Sequence, residues 1–446
     1  MDTRLKELMN RQKLPDSEDR PTRPARGTGG EGMPSMRLPH ISPIPEICNT
    51  VSDSIPYSLY GEARLQFLRE QVQMLPDKER TSMRVFVEQF IRHMVEIDAS
   101  DIDGGGPACN GYIWYRVDGD KRPDESMGRY EVDVTNVLWL NLLTERQLDL
   151  LFEEGSIDFS FQLPVDGKDG RPRRFRATCY YDLEHLGLNM RAINDEVRPL
   201  RSLSFHPLIE KGLMFRHVRD GLTLLTGVTG SGKSSTLDAI VDANNKDIPG
   251  HVVIIGRPIE YMHVSKLCIV RHREVGTDVS SFKEGITQAL RQDPDIVVIG
   301  EMRDPLTISS ALEITDSGHK VFSTLHTSSA IESLDRIIGE YPPEEQNRIR
   351  NRLADVLRCV ISQKLCPKVG GGRVLAKEVL WMTPSARAAI KNENINEIYQ
   401  MMWEGWAQGQ ITLEQDLFRL MRQGLITQET AMNYANNKRR FKQLTG

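Results

Sequence analysis

The sequence reads as an α/β protein. It predicts a parallel-sheet domain built around a phosphate-binding loop, a smaller α+β domain before it and helices after it. Three observations lead there. From about Phe205 apolar strands alternate with helical stretches, the pattern of a parallel sheet covered on both faces. Inside that stretch, Gly227 to Ser234 reads G-V-T-G-S-G-K-S, between an apolar strand and a helix. Upstream, from about Leu59 to Asn194, helical patterning comes first and short strands follow, which is an α+β order.

The elements can be justified in turn. Residues 1–58 are rich in Pro, Arg, Gly and Ser and, after a short helical stretch at Arg4 to Gln12, lack periodic apolar positions. Such a segment buries too little apolar surface to offset its ordering entropy, so a disordered extension is expected. Residues 59–194 should form the first folded domain. Helices are expected at Leu65 to Met74, Met83 to Ile97 and Val134 to Glu154, and strands at Tyr112 to Val117, Ile157 to Phe161, Arg174 to Thr178 and Leu188 to Ile193. A polar linker, 195–204, leads into the main domain, 205–383. Its expected strands are Gly221–Thr226, His251–Ile255, Asp295–Ile299, Lys320–Leu325 and Val374–Trp381. The helices between them are Ser235–Asn244, Ser281–Gln292, Leu306–Thr315 and Glu344–Gln363. Residues 384–446 are helical and polar.

Bulk properties narrow the function. A chain of 446 residues has material for two or three domains. The net charge of −5 gives no broad attraction to nucleic acid or to acidic lipid. The six cysteines, at 48, 109, 179, 268, 359 and 366, form no C-x-x-C pair, which argues against a zinc ribbon and suits a reducing cytoplasm. There is no long apolar run for a membrane span and no apolar signal-peptide core.

The loop carries the chemistry. Its glycines let backbone N–H groups turn inward around a polyphosphate, and the following helix adds partial positive charge. The candidate nucleotide-binding residues are Gly227, Thr229, Gly230, Ser231, Gly232, Lys233, Ser234 and Ser235. Lys233 would reach the β- and γ-phosphates of ATP, and the Ser234 hydroxyl would ligate Mg²⁺. The motif alone leaves open mechanical work, a phosphorylated metabolite or a signalling state. Glu301 follows the apolar run Asp295 to Ile299, where a carboxylate can orient the attacking water or hold Mg²⁺ through water; the alternative is a solvated loop residue. His319 and His326 bracket the next strand. Six residues span roughly 20 Å, so the two cannot share a partner, and His326 lies at the ligand end.

These residues, with others, resemble a family. From about Ser100 to Gly424 the chain is similar to the hexameric secretion and pilus ATPases, and within them to the type IV pilus retraction ATPases, the PilT/PilU family. The resemblance rests on Gly227–Ser234, on R-E-V-G-T-D-V-S-S-F at Arg273–Phe282, on A-L-R-Q-D-P-D-I-V-V-I-G-E-M-R-D at Ala289–Asp304 and on G-H-K-V-F-S-T-L-H-T-S-S-A at Gly318–Ala330. D-R-I-I at Asp335–Ile338 and V-I-S-Q-K-L-C-P-K at Val360–Lys368 match the retraction group in particular. Upstream, A-S-D-I, R-V-D-G and D-F-S-F, beginning at Ala99, Arg116 and Asp158, resemble its PAS-like N-terminal domain. T-L-E-Q-D-L at Thr412–Leu417 resembles its closing helices.

The resemblance implies a RecA-like core, a PAS-like N-terminal domain and C-terminal helices. It implies a homohexameric ring with ATP between the N-terminal domain of one subunit and the core of its neighbour. In that scheme Glu301 positions water, His326 senses the γ-phosphate, His319 belongs to the same box, and Arg176 and Arg191 supply charge from the N-terminal domain. The expected partners are an inner-membrane platform protein and a paralogous motor, and the expected location is the cytoplasm, peripheral at the inner membrane.

One departure stands out. The family reads roughly E-D-P-I-E after its second strand; here Gly256-Arg257-Pro258-Ile259-Glu260 keeps only Glu260 of the three acids. Arg257 is expected to lie beside the phosphates and to slow hydrolysis. A PilU-like accessory subunit of weak activity is therefore the main alternative to a retraction motor. An ATPase of a secretion or conjugation system is the other. A small-molecule kinase is disfavoured because no substrate pocket is apparent.

Overall fold

The computed structural model describes residues 41–117, 120–163, 173–193 and 197–446. The expected helix at Arg4 to Gln12 lies outside the described residues.

The first domain opens with three helices, α1 (Glu46–Asp53), α2 (Gly61–Met74) and α3 (Asp77–Glu96). Three strands follow, β1 (Asp101–Gly105), β2 (Tyr112–Val117) and β3 (Asp120–Arg129), then α4 (Val132–Leu142) and α5 (Glu145–Glu154). Strands β4 (Ser156–Leu163), β5 (Arg173–Asp182) and β6 (His185–Ala192) complete it. The six strands form one sheet in the order β3-β2-β1-β6-β5-β4, with antiparallel neighbours throughout. Its alternating inward residues, among them Ile157, Phe159, Phe161, Phe175 and Ala177, pack with Val137, Leu138 and Leu140 of α4 in one core.

Two expectations change here. The extension is helical at α1, whose Cys48 and Val51 are buried in the same core as Leu65, Leu68 and Phe86. A single apolar stripe of two turns was enough, since the partner surface came from elsewhere in the chain. The single expected helix at Val134 to Glu154 is two. Thr144 caps the second through a reciprocal capping box with Gln147, and that local preference breaks the run.

The second domain contains α6 (Pro207–Leu213), β7 (Gly221–Thr226), α7 (Lys233–Asp247), β8 (Gly250–Gly256) and β9 (Cys268–Glu274). Then come α8 (Phe282–Ala289), β10 (Ile296–Ile299), α9 (Pro305–Asp316), β11 (Lys320–Leu325), α10 (Ala330–Gly339) and α11 (Pro343–Val356). The sheet closes with β12 (Leu357–Pro367) and β13 (Arg373–Trp381). Strand order is β13-β12-β7-β11-β10-β8-β9, parallel except for β13. Every residue of β7 and β11 is buried, because helices cover both faces. The sheet is thus mixed at one edge. The expected helix Glu344–Gln363 ends at Val356, and the chain passes directly into β12.

Helices α12 (Pro384–Lys391), α13 (Asn396–Glu404), α14 (Leu413–Arg422), α15 (Gln428–Tyr434) and α16 (Lys438–Thr445) form the C-terminal region. Their own small core of Leu417, Leu420, Ile426 and Phe441 includes Cys366 and Ala376 from β12 and β13. All six cysteines are unpaired. Among the described residues no helix is long and apolar enough to cross a membrane.

Candidate active site

The phosphate loop follows β7 and ends at α7, whose first residue is Lys233. Gly227, Gly230 and Gly232 take φ values of 147°, 81° and 89°, which side chains rarely adopt. At Gly227 the space is closed as well: a Cβ would meet Ser231 Oγ at 2.4 Å and the Gln363 carbonyl at 2.6 Å. Gln363 belongs to β12, and its neighbour Ser362 joins Thr226 at 2.7 Å, hydroxyl to hydroxyl. Gln363 Nε2 donates to Thr236 Oγ1 at 2.8 Å. The strand beside β7 therefore props both the entry and the exit of the loop.

Inside the loop Lys233 Nζ donates to the carbonyls of Gly227 at 2.7 Å and Val228 at 3.2 Å. Its ammonium is 8% exposed as a residue, and burial lowers its pKa while Glu260 and Glu301 oppose that shift. The Ser231 hydroxyl is buried with no hydrogen-bond partner, while Thr229, Ser234 and Ser235 are exposed. A buried donor without partner and the free N–H groups opening α7 make a cradle suited to phosphate oxygens.

Glu301 follows β10, and β10 pairs with both β11 and β8. Its carboxylate forms an ion pair with Arg303, Nε to Oε2 at 2.7 Å, and stands 3.7 Å from His326 Nε2. Thr324 Oγ1 donates to the Gly300 carbonyl at 2.6 Å and fixes the turn between the two strand ends. The His326 pKa is lowered, first by burial and then by Lys233, with Glu301 acting the other way. A neutral imidazole there can donate or accept one hydrogen bond. Lys233, Glu301 and His326 thus converge. Among the described residues no group of three or more His, Cys, Asp or Glu is arranged to hold a metal. A magnesium ion brought by a nucleotide needs only one or two protein groups, which the Ser234 hydroxyl and the Glu301 carboxylate can supply.

The remaining candidates fall in different places. Arg176, on β5, reaches the second domain of its own chain, with Nη1 at 3.1 Å from Glu260 Oε1 and Nη2 at 3.2 Å from Asp158 Oδ2. Arg191 pairs across the sheet with Arg176, but its Nε donates to Asp101 Oδ1 at 2.7 Å, within the first domain. His319 is not brought to the loop. Its carbonyl accepts from Gly221 N–H at the opposite end of β7, and its ring contacts Ser317 Oγ at 2.9 Å.

Arg257 overturns an expectation. Its guanidinium pairs with Glu154 Oε2 of α5, in the first domain, at 2.9 Å. A largely buried joint lies beside it and was not anticipated. Glu274, at the end of β9, accepts from Ser160 Oγ at 2.7 Å, Ile259 N–H at 3.1 Å and Arg174 Nη2 at 3.3 Å. Arg174 also donates to the Ile259 carbonyl at 3.1 Å. The turn that carries Glu260 is thereby tied to β4 and β5. The signal lay in Arg174, which opens an expected strand, and in Glu274 of the R-E-V-G stretch, neither of which had an assigned role.

Comparison with known proteins agrees with this geometry. A family model described as type II/IV secretion system protein matches residues 188–432, more than half the chain. The type IV pilus retraction ATPase PilT of Pseudomonas aeruginosa is 38% identical over 329 residues, covering 73% of this chain and 92% of that protein. The chain belongs to the PilT/PilU family of type II/IV secretion system ATPases. The type IV pilus ATPase PilU of the same organism is 32% identical over 353 residues, 78% of this chain and 88% of PilU. A crystal structure of the pilus retraction motor PilT with bound ADP superposes with a TM-score of 0.69 at 34% identity, covering 80% of this chain and 98% of that one. The RecA-like core with a separate N-terminal domain follows from that match.

Proposed function

We propose that this chain is the subunit of a homohexameric motor that hydrolyses ATP to retract a type IV pilus. The observation that carries it is the convergence of Lys233, Glu301 and His326 on a phosphate cradle in a chain similar to PilT along almost all of PilT's length. Lys233, with the N–H groups from Gly227 to Ser235, binds the β- and γ-phosphates. Glu301 orients the attacking water, and it must leave Arg303 to do so. His326 contacts the γ-phosphate as a neutral ring. Magnesium, held by Ser234 and by Glu301 through water, neutralises phosphate charge when bound. Arg176 exchanges Glu260 for nucleotide or neighbour, which links hydrolysis to domain movement. The subunit works in the cytoplasm, at the inner membrane, against a platform protein.

One observation favours a second reading, a weakly active partner of a paralogous motor, as PilU's likeness allows. The turn 256–260 has lost two acids, and Arg257 is engaged with the first domain. Turnover of the purified chain decides. Lys233→Ala is expected to abolish tight ATP binding. Glu301→Gln is expected to keep ATP bound and lower kcat by ~10²–10⁴-fold. Unchanged ATP affinity in the first variant sinks the site. A parent with no turnover, rescued by an acid at position 256, selects the accessory reading.

A further inference from the structure

The loop after β11 carries His326 and leads into α10. It is held partly by its own helix: Thr327 Oγ1 meets Ser333 Oγ at 2.6 Å, and Ser328 N–H donates to Glu332 Oε2 at 2.7 Å. Two other bonds leave this neighbourhood. Ala330 N–H, at the start of α10, donates to Glu378 Oε1 at 2.8 Å. The Ser328 carbonyl accepts from Asn436 Nδ2 at 3.1 Å.

Both partners belong to the C-terminal end of the chain. Glu378 lies on β13, is 3% exposed, and lies near the backbone N–H of Leu413, which begins α14. Asn436 lies between α15 and α16, and its Oδ1 accepts from Lys364 Nζ at 2.6 Å. Lys364 donates as well to the Tyr434 carbonyl at 2.8 Å. Next to Glu378, the buried Glu414 accepts from Tyr399 at 3.0 Å and from Asn437 N–H at 2.7 Å. Glu378 and Glu414 face, with Ser328 and Ser329, an open pocket of about 370 Å³.

A buried carboxyl oxygen bonded to the first N–H of α10 fixes that helix end to β13; burial pushes the Glu378 pKa up to about 7, so the bond is strongest above that pH, where the group is charged and the helix end favours negative charge. Two buried carboxylates side by side are a poor way to gain stability alone. We propose that Glu378, supported by Asn436, is a positioning residue for hydrolysis: it fixes the His326 loop to the C-terminal helices, so that His326 reaches the γ-phosphate only while those helices are docked. The proposal rests on the reading of His326 given above.

The test uses the full chain with ATP and Mg²⁺ and three variants, Glu378→Ala, Glu378→Gln and Asn436→Ala. Turnover by the parent and its loss in a His326→Ala control settle the underlying reading by themselves. For the proposal, Glu378→Ala is expected to lower kcat by ~10-fold or more, with the KM for ATP within about twofold, because the loop at 227–234 is untouched. Glu378→Gln retains an oxygen acceptor and is expected to recover most of that loss. Asn436→Ala is expected to act in the same direction and not to add to Glu378→Ala. Hydrogen exchange read on the full chain gives a result whether or not the parent turns over. Peptides covering 326–332 should exchange about tenfold faster in both alanine variants, while 227–234 stays unchanged. Unchanged exchange at 326–332, unchanged kcat in both alanine variants, or a KM that rises in step with the lost kcat overturns the proposal. If Glu378→Ala fails to fold, the exposed Asn436 carries the same readouts.

Discussion

Removing Arg257 should change nucleotide binding very little, even though it deletes a cation on the turn that carries Glu260. Its partner explains why. The Arg257 and Glu154 side chains are 26% and 46% exposed, and a pair so exposed contributes ~0.2–1 kcal/mol. One kcal/mol is about a fivefold change in an equilibrium. Arg257→Ala and Glu154→Ala should therefore shift ATP affinity by less than about fivefold, each to the same extent, and the double variant no further. A titration with a fluorescent ATP analogue, at low and high salt, measures this. Salt should shrink the small difference between parent and variants, because the pair is screened. A change of ~10-fold or more in Arg257→Ala, with Glu154→Ala silent, would show the guanidinium acting on phosphate and refute the geometry.

The same reasoning divides the restoration of the acids. Gly256 ends β8, whose Ile255 pairs with Ile299 of β10, two residues before Glu301. An acid at 256 lies near Glu301, the carboxylate proposed to orient water, whereas Arg257→Asp only places a like charge before Glu154. A rise in turnover should thus come from Gly256→Glu alone. It has a cost: a Cβ at 256 meets Ile259 Cδ1 at 2.8 Å and the Pro258 carbonyl at 3.1 Å. The isoleucine tip can turn away, the carbonyl cannot, and overpacking of this kind costs ~1–3 kcal/mol. Equal gains from either single change would contradict this division.

Other outcomes follow from the same contacts. Light scattering in ATP and Mg²⁺ should find a ring of six, and a fully active monomer at micromolar concentration contradicts the motor reading. Glu274→Gln leaves the buried Arg174 without its charge partner, so denaturation should show a loss of ~3–5 kcal/mol, and a loss below about 1 kcal/mol refutes the joint. Lys320 is 1% exposed, donates to the carbonyls of Gly212 and Val218, and is pushed down to about 7 by burial from its usual 10.5. The unfolded chain then binds the extra proton between those values. Stability should rise with pH across that window, by about 2 kcal/mol from pH 7 to 9, and be fully penalised below about pH 7. Lys320→Met should lose this rise, and equal slopes in parent and variant count against it.

Much of the core was legible because its strands are buried on both faces. Gly221–Thr226 and Lys320–Leu325 are short strand-forming runs, buried at every position, and have the limits expected of them. Strand β12 was hidden because α11 runs into it with no glycine or proline between Val356 and Leu357. β9 and β3 are edge strands, and edges carry charge: Arg271, His272 and Arg273 in one, and Asp120, Lys121 and Arg122 in the other. At the site, the loop, Glu301 and His326 were readable from their places after strands. The fates of Arg176 and Arg191 were not, since two arginines on neighbouring strands look alike until their partners, Glu260 and Asp101, are known. Arg257 was misjudged for the same reason.

The attachments of the two outer regions constrain how the motor can move. On one side of the cradle, the turn bearing Glu260 is bonded to β4 and β5 through Glu274 and Arg174. On the other, the loop bearing His326 is bonded to the C-terminal helices through Glu378 and Asn436. Rotation of the N-terminal domain must either break the buried Arg174–Glu274 pair or carry the turn with it. Breaking the pair strands a buried charge, at ~3–5 kcal/mol. Arg176–Glu260 and Arg257–Glu154 are half-exposed pairs that exchange partners at little cost. The cheaper path keeps the buried joint and carries the turn, with the Arg176–Glu260 and Arg257–Glu154 pairs intact, as one body with the N-terminal domain. Glu260 would then travel with the N-terminal domain, and the carboxylate nearest Lys233 on that side would be set by domain orientation. Cross-linking cysteines introduced by Arg174→Cys and Glu274→Cys should in that case leave turnover largely intact, and so should cross-linking Glu154→Cys to Arg257→Cys; loss of turnover on the second cross-link would show the turn moving apart from the N-terminal domain and refute this path.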